Sequence, residues 1–560
     1  MTEKIFIGVA WPYANGPLHQ GQMVGSFLPA DCLARYHRQR GDRVLMVSGS
    51  DQFGTPVTVR AEQEGRTPQA VVDEFHESFV RSLDYMGISM DLYTTTGTAN
   101  HRETIQRIFA KLLESGDIYK KSTTLLYCPN DDRFLPDRYV EGGCPHCGFE
   151  HARGDECESC SRALDALELV DPRCKLCGTT PEPRESDHFF LRLSAYSDKL
   201  REWISQQAHW RKHVVNFSLG ILNEGLRDRA ITRDLTWGVP LPADELGEGK
   251  SIYVWFENVL GYLSAAKEWA QRRGEPDAWR EFWQDPACRS YYFVGKDNIF
   301  FHALSLPVTI MAYGDEEGKP LNLPYDVPAN HYSNVAGAKA SASRNSAIWI
   351  NELIGRYDPD AVRYYLCATM PETSDSDFTW KDFVARNNNE LVATWGNLVN
   401  RTLTLTYRNF DGCVPDPGEL DERSLQLLQQ AESKLAEAGE QLDACHFRAA
   451  LATAMSLAQE TNRFLDETAP WKSLPDDKDN AARSLYTVIC AINGLKIALS
   501  PFLPFTCDKL HTYLGYDTPL SESGWALIRP PAGQRLAEPA PLFTKLEAAA
   551  VDAEEERLAS

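Results

Sequence analysis

Residues 4–22 read KIFIGVAWPYANGPLHQGQ, and the interpretation of this stretch decides the fold. KIFIGVAW (4–11) is apolar at nearly every position, the pattern of a parallel strand buried on both faces. It stops at Pro12-Tyr13-Ala14-Asn15-Gly16-Pro17, a loop rich in helix and strand breakers. A helical pattern follows from about Gly21 to Arg40, and VLMVSGSD (44–51) reads as a second strand. Strand, loop, helix, strand is the opening of an α/β fold with a doubly wound parallel sheet of Rossmann type. The helix begins within Pro17-Leu18-His19-Gln20-Gly21-Gln22, where free N–H groups and the positive dipole end suit a phosphate. Gly21 lets the backbone approach a ligand closely, and His19 can donate to a phosphate oxygen. Taken alone, the segment reads more readily as a turn histidine beside a turn glycine.

Outward from this unit, Ile105, Ile108, Phe109, Leu112 and Leu113 repeat at helical spacing and Gly116 supplies a stop. A cysteine-rich, turn-rich block at about 120–180 then breaks the pattern. Strand-like stretches return at SIYVWF (251–256) and SYYFVG (290–295), so the sheet resumes after an insertion. Beyond about 380 the chain turns to long amphipathic helices, with Leu391, Trp395 and Leu398 in register, then Phe447, Leu451, Ala454 and Ala458. SLYTVICAINGLKIAL (484–499) is apolar nearly all round, as expected of a central bundle helix. After Pro530-Pro531 the pattern fades, and Glu554-Glu555-Glu556 reads as a solvated acidic end. The expected divisions are 1–117 and 230–325 for the two halves of the catalytic sheet and 118–229 for the insertion. The region 326–385 follows as a connecting segment, with 386–530 as a helical bundle and 531–560 as a tail.

A chain of 560 residues exceeds one hydrophobic core and predicts about three or four domains. Its N-terminus, MTEKIFIGVAW, has no basic region followed by a long apolar stretch, and no run of ~18 apolar residues occurs, which predicts a cytosolic chain with no membrane partner. The net charge of −22 argues against a general nucleic-acid binder, although one basic face can sit on an acidic body. Seven of the 14 cysteines fall between Cys128 and Cys177 and include three C-x-x-C pairs, a clustering that favours metal over disulfides. Cys144, Cys147, Cys157 and Cys160 have the spacing of a four-thiolate zinc knuckle, closed and therefore structural. In the second set, Cys128, Cys174 and Cys177 lack a fourth thiol, and Asp131 stands where it would be. Carboxylate ligates zinc too, so a three-Cys, one-Asp site and a metal-free knuckle both remain open.

The run AWPYANGPLHQGQ resembles the His-Ile-Gly-His signature of class I aminoacyl-tRNA synthetases, in the form found in the methionyl-tRNA synthetase family. Further matching blocks follow in the family's order: SDQFGTP (50–56), RFLPDRY (133–139), ITRD (231–234), YVWFENVLGY (253–262), VGKDNIFFH (294–302), GAKASASRN (337–345), YDPDAVRYYL (357–366), NLVNR (397–401) and APW (469–471). The resemblance spans about 4–475. It implies a zinc-knuckle insertion, a C-terminal α-helical anticodon-binding bundle, and a two-step reaction. Methionine attacks Mg2+-bound ATP to give methionyl-adenylate and pyrophosphate, and the methionyl group then passes to the 3′ end of tRNA-Met. Both steps need positioned donors and cations more than a protein nucleophile.

By that resemblance His19, Lys296 and Lys339 are the catalytic cations and donors. Gly21, Gln22, Arg233, Asp297, Ser341 and Ser343 complete the ATP site. Two departures stand out: Gln22 replaces the family's usual His or Asn, and the Lys-Met-Ser-Lys-Ser signature reads Lys339-Ala340-Ser341-Ala342-Ser343. Loss of one charged transition-state contact costs ~3–4 kcal/mol, and activity is expected to persist despite Ala342. The methionine pocket would comprise Ala10, Trp11, Tyr13, Trp255, Asn258, Val259, Tyr262, Asn298 and His302, with Asp51 holding the ammonium. Trp11, Asn258 and Asn298 stand where aliphatic residues are expected.

Asn397 and Arg401, four apart, project from one helical face, and Trp471 follows a proline. An aromatic face with amide and guanidinium donors suits readout of unpaired bases, and the resemblance assigns these three to the CAU anticodon. The resemblance also implies a monomer, since no further dimerisation domain follows the bundle. Two competing readings are a paralogue that charges another acceptor and a non-catalytic tRNA-binding relative. Asn397, Arg401 and Trp471 disfavour the first; His19, Asp51, Lys296 and Lys339 disfavour the second.

Overall fold

The computed structural model describes residues 2–559 apart from 155–156, 158, 161, 163, 243–245, 247, 317, 336–337 and 340–346. Strand β1 (Lys4–Val9) is buried almost throughout, and alternate side chains enter opposite cores. Ile5, Ile7 and Val9 pack with Leu28 and Leu33 of helix α1 (Leu28–Gln39), whereas Phe6 faces the other side. β1 is followed by a loop, one α-turn (Gln20–Gln22), a π-helical segment (Met23–Phe27) and α1, which together make the expected first helix. Strands β2 (Arg43–Ser50) and β3 (Leu92–Thr95) extend the sheet in one direction. Helix α2 (Val254–Arg272) covers the face that Phe6 enters, and β4 (Arg289–Phe293) pairs with the free edge of β1. The spatial order is β4-β1-β2-β3, and every pairing is parallel. The chain therefore winds outward from β1 and later returns to its other side. This leaves a topological switch point between the C-terminal ends of β1 and β4, where doubly wound sheets bind ligands.

The insertion is built on a long antiparallel ladder between Ile118–Cys128 and Glu182–Leu191. Its return to the sheet differs from the reading of 251–256 as a strand. Only Ser251–Ile252 is extended, paired antiparallel with Thr232–Arg233, and α2 begins at Val254. The apolar run is too short for periodicity to separate a strand from a buried helix, and the 19 residues of α2 settle it.

Helices α3 (Asn397–Asn409), α4 (Glu422–Asp443), α5 (Phe447–Thr468) and α6 (Lys478–Leu499) form the expected bundle. Among the described residues α6 is the one helix long and apolar enough to cross a membrane, but 89% of that window is buried inside the protein. One continuous core runs from Ile5 and Leu28 beneath the sheet to Leu485 and Ile492 in α6. The polar seam is closed by Arg363, fully buried, which donates to Asp31 (2.7 Å), Met86 O (2.8 Å), Pro501 O (2.7 Å) and Phe502 O (2.9 Å). The tail corrects a second expectation. Asn388 exchanges hydrogen bonds with the backbone of Leu546, and a helix forms at Ala549–Ala559. Glu554 is buried, accepting from Tyr357 (2.8 Å) and pairing with Arg356. The acidic end is thus docked through Glu554, whose carboxylate accepts from Tyr357 and pairs with Arg356 of the connecting region.

Candidate active site

Two loops leave the switch point, one after β1 carrying His19 and the turn of Gly21 and Gln22, and one after β4 carrying Lys296, Asp297 and Asn298. His19 caps the short turn: its Nδ1 accepts from Gly21 N (3.1 Å), and Gln22 Oε1 accepts from His19 N (3.0 Å). This reciprocal capping gives Gln22 a role it can share with histidine, since the cap requires a side-chain acceptor, which an amide oxygen or an imidazole nitrogen supplies. A Cβ at Gly21 would lie 3.0 Å from the His19 ring, so glycine keeps the imidazole seated. Trp349 meets the same ring edge-on at 6.0 Å.

Gln20, which sequence reasoning passed over, is fully buried and ties this loop to the second signature region. It accepts from Ile348 N (2.9 Å) and donates to Ser333 O (3.2 Å). Ser333–Val335 pairs antiparallel with Ala338–Lys339, so the backbone of Lys339 stands one short strand from the first loop. Ser341 and Ser343 lie outside the described residues.

On the other loop, Lys296 occupies a single 3-10 turn, Lys296–Asn298. Its Nζ pairs with Asp375 (2.8 Å) and lies 3.9 Å from the centre of the Tyr332 ring, whose hydroxyl donates to Asp297. Asp375 is a partner no local pattern signalled. Arg233 sits at the base of the insertion, stacked on Tyr253 at 3.5 Å and donating to the carbonyls of Ala230 and Thr232.

Between the loops lies the expected amino-acid pocket. Asp51 is 1% exposed and accepts from Phe53 N (3.2 Å) and Asn258 Nδ2 (2.7 Å). Burial, and then the nearby Glu257 carboxylate, push its pKa well above the usual carboxylate range. Among the described residues no cation of the chain pairs with it. Asn258 is accordingly no misplaced polar residue, because it supplies Asp51 with a donor.

Tyr262 donates its hydroxyl to His302 Nε2 (2.8 Å), and His302 Nδ1 faces Asn298 O at 2.9 Å. A carbonyl only accepts, so Nδ1 carries the proton and Nε2 is the acceptor. Burial lowers the His302 pKa to about 4, keeping the ring neutral at pH 7. Half-buried Trp255 stacks on Phe301 at 4.2 Å and meets Tyr13 edge-on at 6.1 Å, forming an aromatic wall with one unanticipated member. Trp11 is 7% exposed, wedged between Gly49 and Gly261: a Cβ at either would lie 2.2 or 3.0 Å from its ring. Val259 is fully buried behind this wall, while Ala10 N donates to Phe293 O (3.0 Å) and joins the two strand ends.

In the insertion, Cys144, Cys147, Cys157 and Cys160 converge, with every ligand atom within 4.8 Å of the others and sulfur pairs at 3.9 and 3.6 Å. Ligands 2.3 Å from a tetrahedral zinc lie about 3.8 Å apart, so the set fits that ion. Cys128, Asp131, Cys174 and Cys177 converge equally, with Asp131 Oδ2 3.4 and 3.0 Å from Cys128 and Cys174 sulfurs. At the far end of the bundle Arg401 pairs with Asp466 (2.9 Å) and lies 4.9 Å from the centre of the Trp471 ring, with Asn397 exposed one turn away.

The family described as "tRNA synthetases class I (M)" matches residues 5–403, and the anticodon binding domain of methionyl tRNA ligase matches residues 414–560. The chain is 54% identical over 558 residues to a methionine–tRNA ligase of Dehalococcoides mccartyi, covering 100% of both. It is 48% identical over 584 residues to one of Thermomicrobium roseum, covering 100% of this chain and 99% of that relative. Among solved structures it is similar to a Mycobacterium tuberculosis methionyl-tRNA synthetase bound by methionyl-adenylate. There the TM-score is 0.79 at 25% identity, covering 97% of this chain and 100% of that one.

Proposed function

Since the chain belongs to the methionyl family of class I tRNA synthetases, we infer from its geometry how its residues divide the work. It activates methionine with ATP and transfers the methionyl group to tRNA. The observation that carries the division of labour is Asp51: a buried carboxylate, held by two donors, whose missing cation is the substrate ammonium. Any amino acid would satisfy that pair, so discrimination falls to the aromatic wall and the Tyr262–His302 pair. A thioether gains about 0.3–1.5 kcal/mol against an aromatic ring.

With the ammonium anchored, a methionine carboxylate oxygen attacks the α-phosphorus, and the bond to the bridging oxygen breaks to release pyrophosphate. His19 and Lys296, from the two loops at the switch point, receive the charge that develops on the phosphates. Lys296 exchanges Asp375 for a phosphate oxygen as ATP enters. Lys339, Ser341 and Ser343 complete the ATP site by the family resemblance, while Gly21, Gln22, Asp297 and Arg233 border the nucleotide. Mg2+ bound with ATP would neutralise phosphate charge there. In the second step the terminal ribose hydroxyl of tRNA attacks the methionyl carbonyl, and AMP departs with the electrons of the broken acyl-phosphate bond.

Zinc on Cys144, Cys147, Cys157 and Cys160 would fix the insertion, with no open position for water. Asp131 would complete a second site of the same kind. Asn397, Arg401 and Trp471 read the anticodon. Clustered free thiols fit the reducing cytosol.

The test is amino-acid-dependent pyrophosphate exchange, followed by charging of tRNA with a CAU anticodon. Exchange with methionine and charging of that tRNA are expected; exchange driven by a different amino acid would overturn the reading.

A further inference from the structure

Helix α5 meets functional ground at both ends. Its 22 residues, at about 1.5 Å rise each, span about 33 Å. At the C-terminal end Asp466 holds Arg401, and the chain leaves through Ala469, at φ 41°, into the turn that carries Trp471. At the N-terminal end two groups from outside the bundle hold it. Glu372, 8% exposed, accepts from Arg448 N at 2.9 Å, which satisfies one of the free amides of the first turn. Arg211, at the end of the insertion, donates through Nη2 to the carbonyl of Cys445 at 3.2 Å, on the turn that enters α5.

The same guanidinium continues inward. Its Nη1 donates to Ala329 O at 2.8 Å and to the side-chain oxygen of Asn330. Asn330 is fully buried and grips both loops of the switch point. Its Nδ2 donates to Val24 O at 2.7 Å, inside the π-helical segment directly after His19–Gln22. Its backbone carbonyl accepts from Lys296 N, and its amide donates to Val294 O, at 2.8 and 2.9 Å. One unbroken series of hydrogen bonds therefore runs from the entry of α5 to the backbone behind His19 and Lys296.

We propose that Arg211, Asn330 and Glu372 are positioning residues that couple the anticodon end of α5 to the alignment of the two phosphate-binding loops. The proposal rests on the anticodon role given above to Arg401 and Trp471. An unbroken contact path is not itself coupling, so the test must isolate an energy shared between the two ends.

Arg211→Met and Glu372→Met would be compared with the unaltered protein in three reactions: methionine-dependent pyrophosphate exchange without tRNA, charging of an acceptor-stem minihelix, and charging of full-length tRNA with a CAU or an altered anticodon. We expect exchange and minihelix charging within about twofold of the unaltered protein, while kcat on the CAU tRNA falls about tenfold with KM for tRNA little changed. The penalty for an altered anticodon should shrink in the variants, because the anticodon signal no longer reaches the loops. A brace with no coupling role would lower all three reactions together and leave the anticodon penalty intact, and that result overturns the proposal. Arg211→Lys, which keeps the charge but not the forked geometry, should fall between; if Arg211→Met fails to fold, it and Glu372→Met carry the test alone. Should the unaltered protein itself ignore the anticodon, the reading of Arg401 and Trp471 fails first, a distinguishable outcome.

Discussion

At the residue scale, the pocket is held by exact fits that single atoms upset. Gly49 has no room for a side chain: a Cβ there would lie 2.2 Å from the Trp11 ring and 2.5 Å from Thr94 O. The backbone oxygen cannot swing aside, so Gly49→Ala should cost about 1–3 kcal/mol, read as a lower urea midpoint, together with a raised KM for methionine. His302 predicts a pH effect. Its folded pKa, about 4, lies below the ordinary 6.5, so the folded state binds fewer protons between those values. The stability this contributes is fully present above pH 6.5 and is lost as pH falls towards 4, by up to about 3 kcal/mol. Urea titrations at pH 7 and 4.5 should show a smaller acid loss for His302→Gln than for the unaltered protein; an equal loss would remove His302 from the account. Neither effect is visible locally. The crowding at Gly49 comes from Trp11 and Thr94, on other segments, and the tautomer of His302 depends on partners four and forty residues away.

At the element scale, the two knuckles and the π-helical segments behave differently. Both sulfur-rich sets are pre-shaped by their hairpin turns, with Gly148 and Gly178 at φ 73° closing the C-x-x-C pairs. Metal analysis of the purified protein is expected to give two zinc ions per chain, one for each cluster, and Asp131→Ala to leave one. A single zinc in the unaltered protein would show that carboxylate does not replace the fourth thiol. The C-x-x-C spacing made the first site legible, whereas the place of Asp131 beside the second set of thiols shows only in its convergence on Cys174, 43 residues away. The π-helical segments Met23–Phe27 and Asn387–Gly396 adjoin the candidate functional residues Gln22 and Asn397, and Phe301–Ser305 contains His302. Their sequences carry an ordinary helical pattern, so the extra residue per turn left no signal to find.

At the scale of the whole molecule, the sheet and bundle share one core and one buried ion pair. Arg363 and Asp31 are fully buried, and Arg363 also satisfies carbonyls from the loop after 85 and from the bundle at 501–502. Arg363→Met would leave Asp31 without a partner it needs and should destabilise the protein by about 3–5 kcal/mol. If the bundle and sheet unfold together in the unaltered protein but separately in the variant, Arg363 is their joint; a single unchanged transition would refute that. The carboxyl of Asp31 is buried, but the guanidinium groups of Arg35 and Arg363 hold it well below the usual range. Its stabilising share is therefore present above the ordinary carboxylate pKa and lost as pH falls below it.

What the chain declares by itself is whatever a short window can encode. The buried first strand, its breaker loop, the helix start at His19, the first thiolate set and the amphipathic bundle helices were legible because periodicity, turn chemistry and spacing are local properties. Tertiary structure alone decided that Asn258 steadies Asp51 across 207 residues, that Gln20 reaches Ser333, that Asp375 holds Lys296, and that Glu554 is docked rather than solvated. Those pairings arise when the winding order of the sheet carries distant loops to one switch point, and contacts made by chain closure impose no repeat on the sequence that makes them.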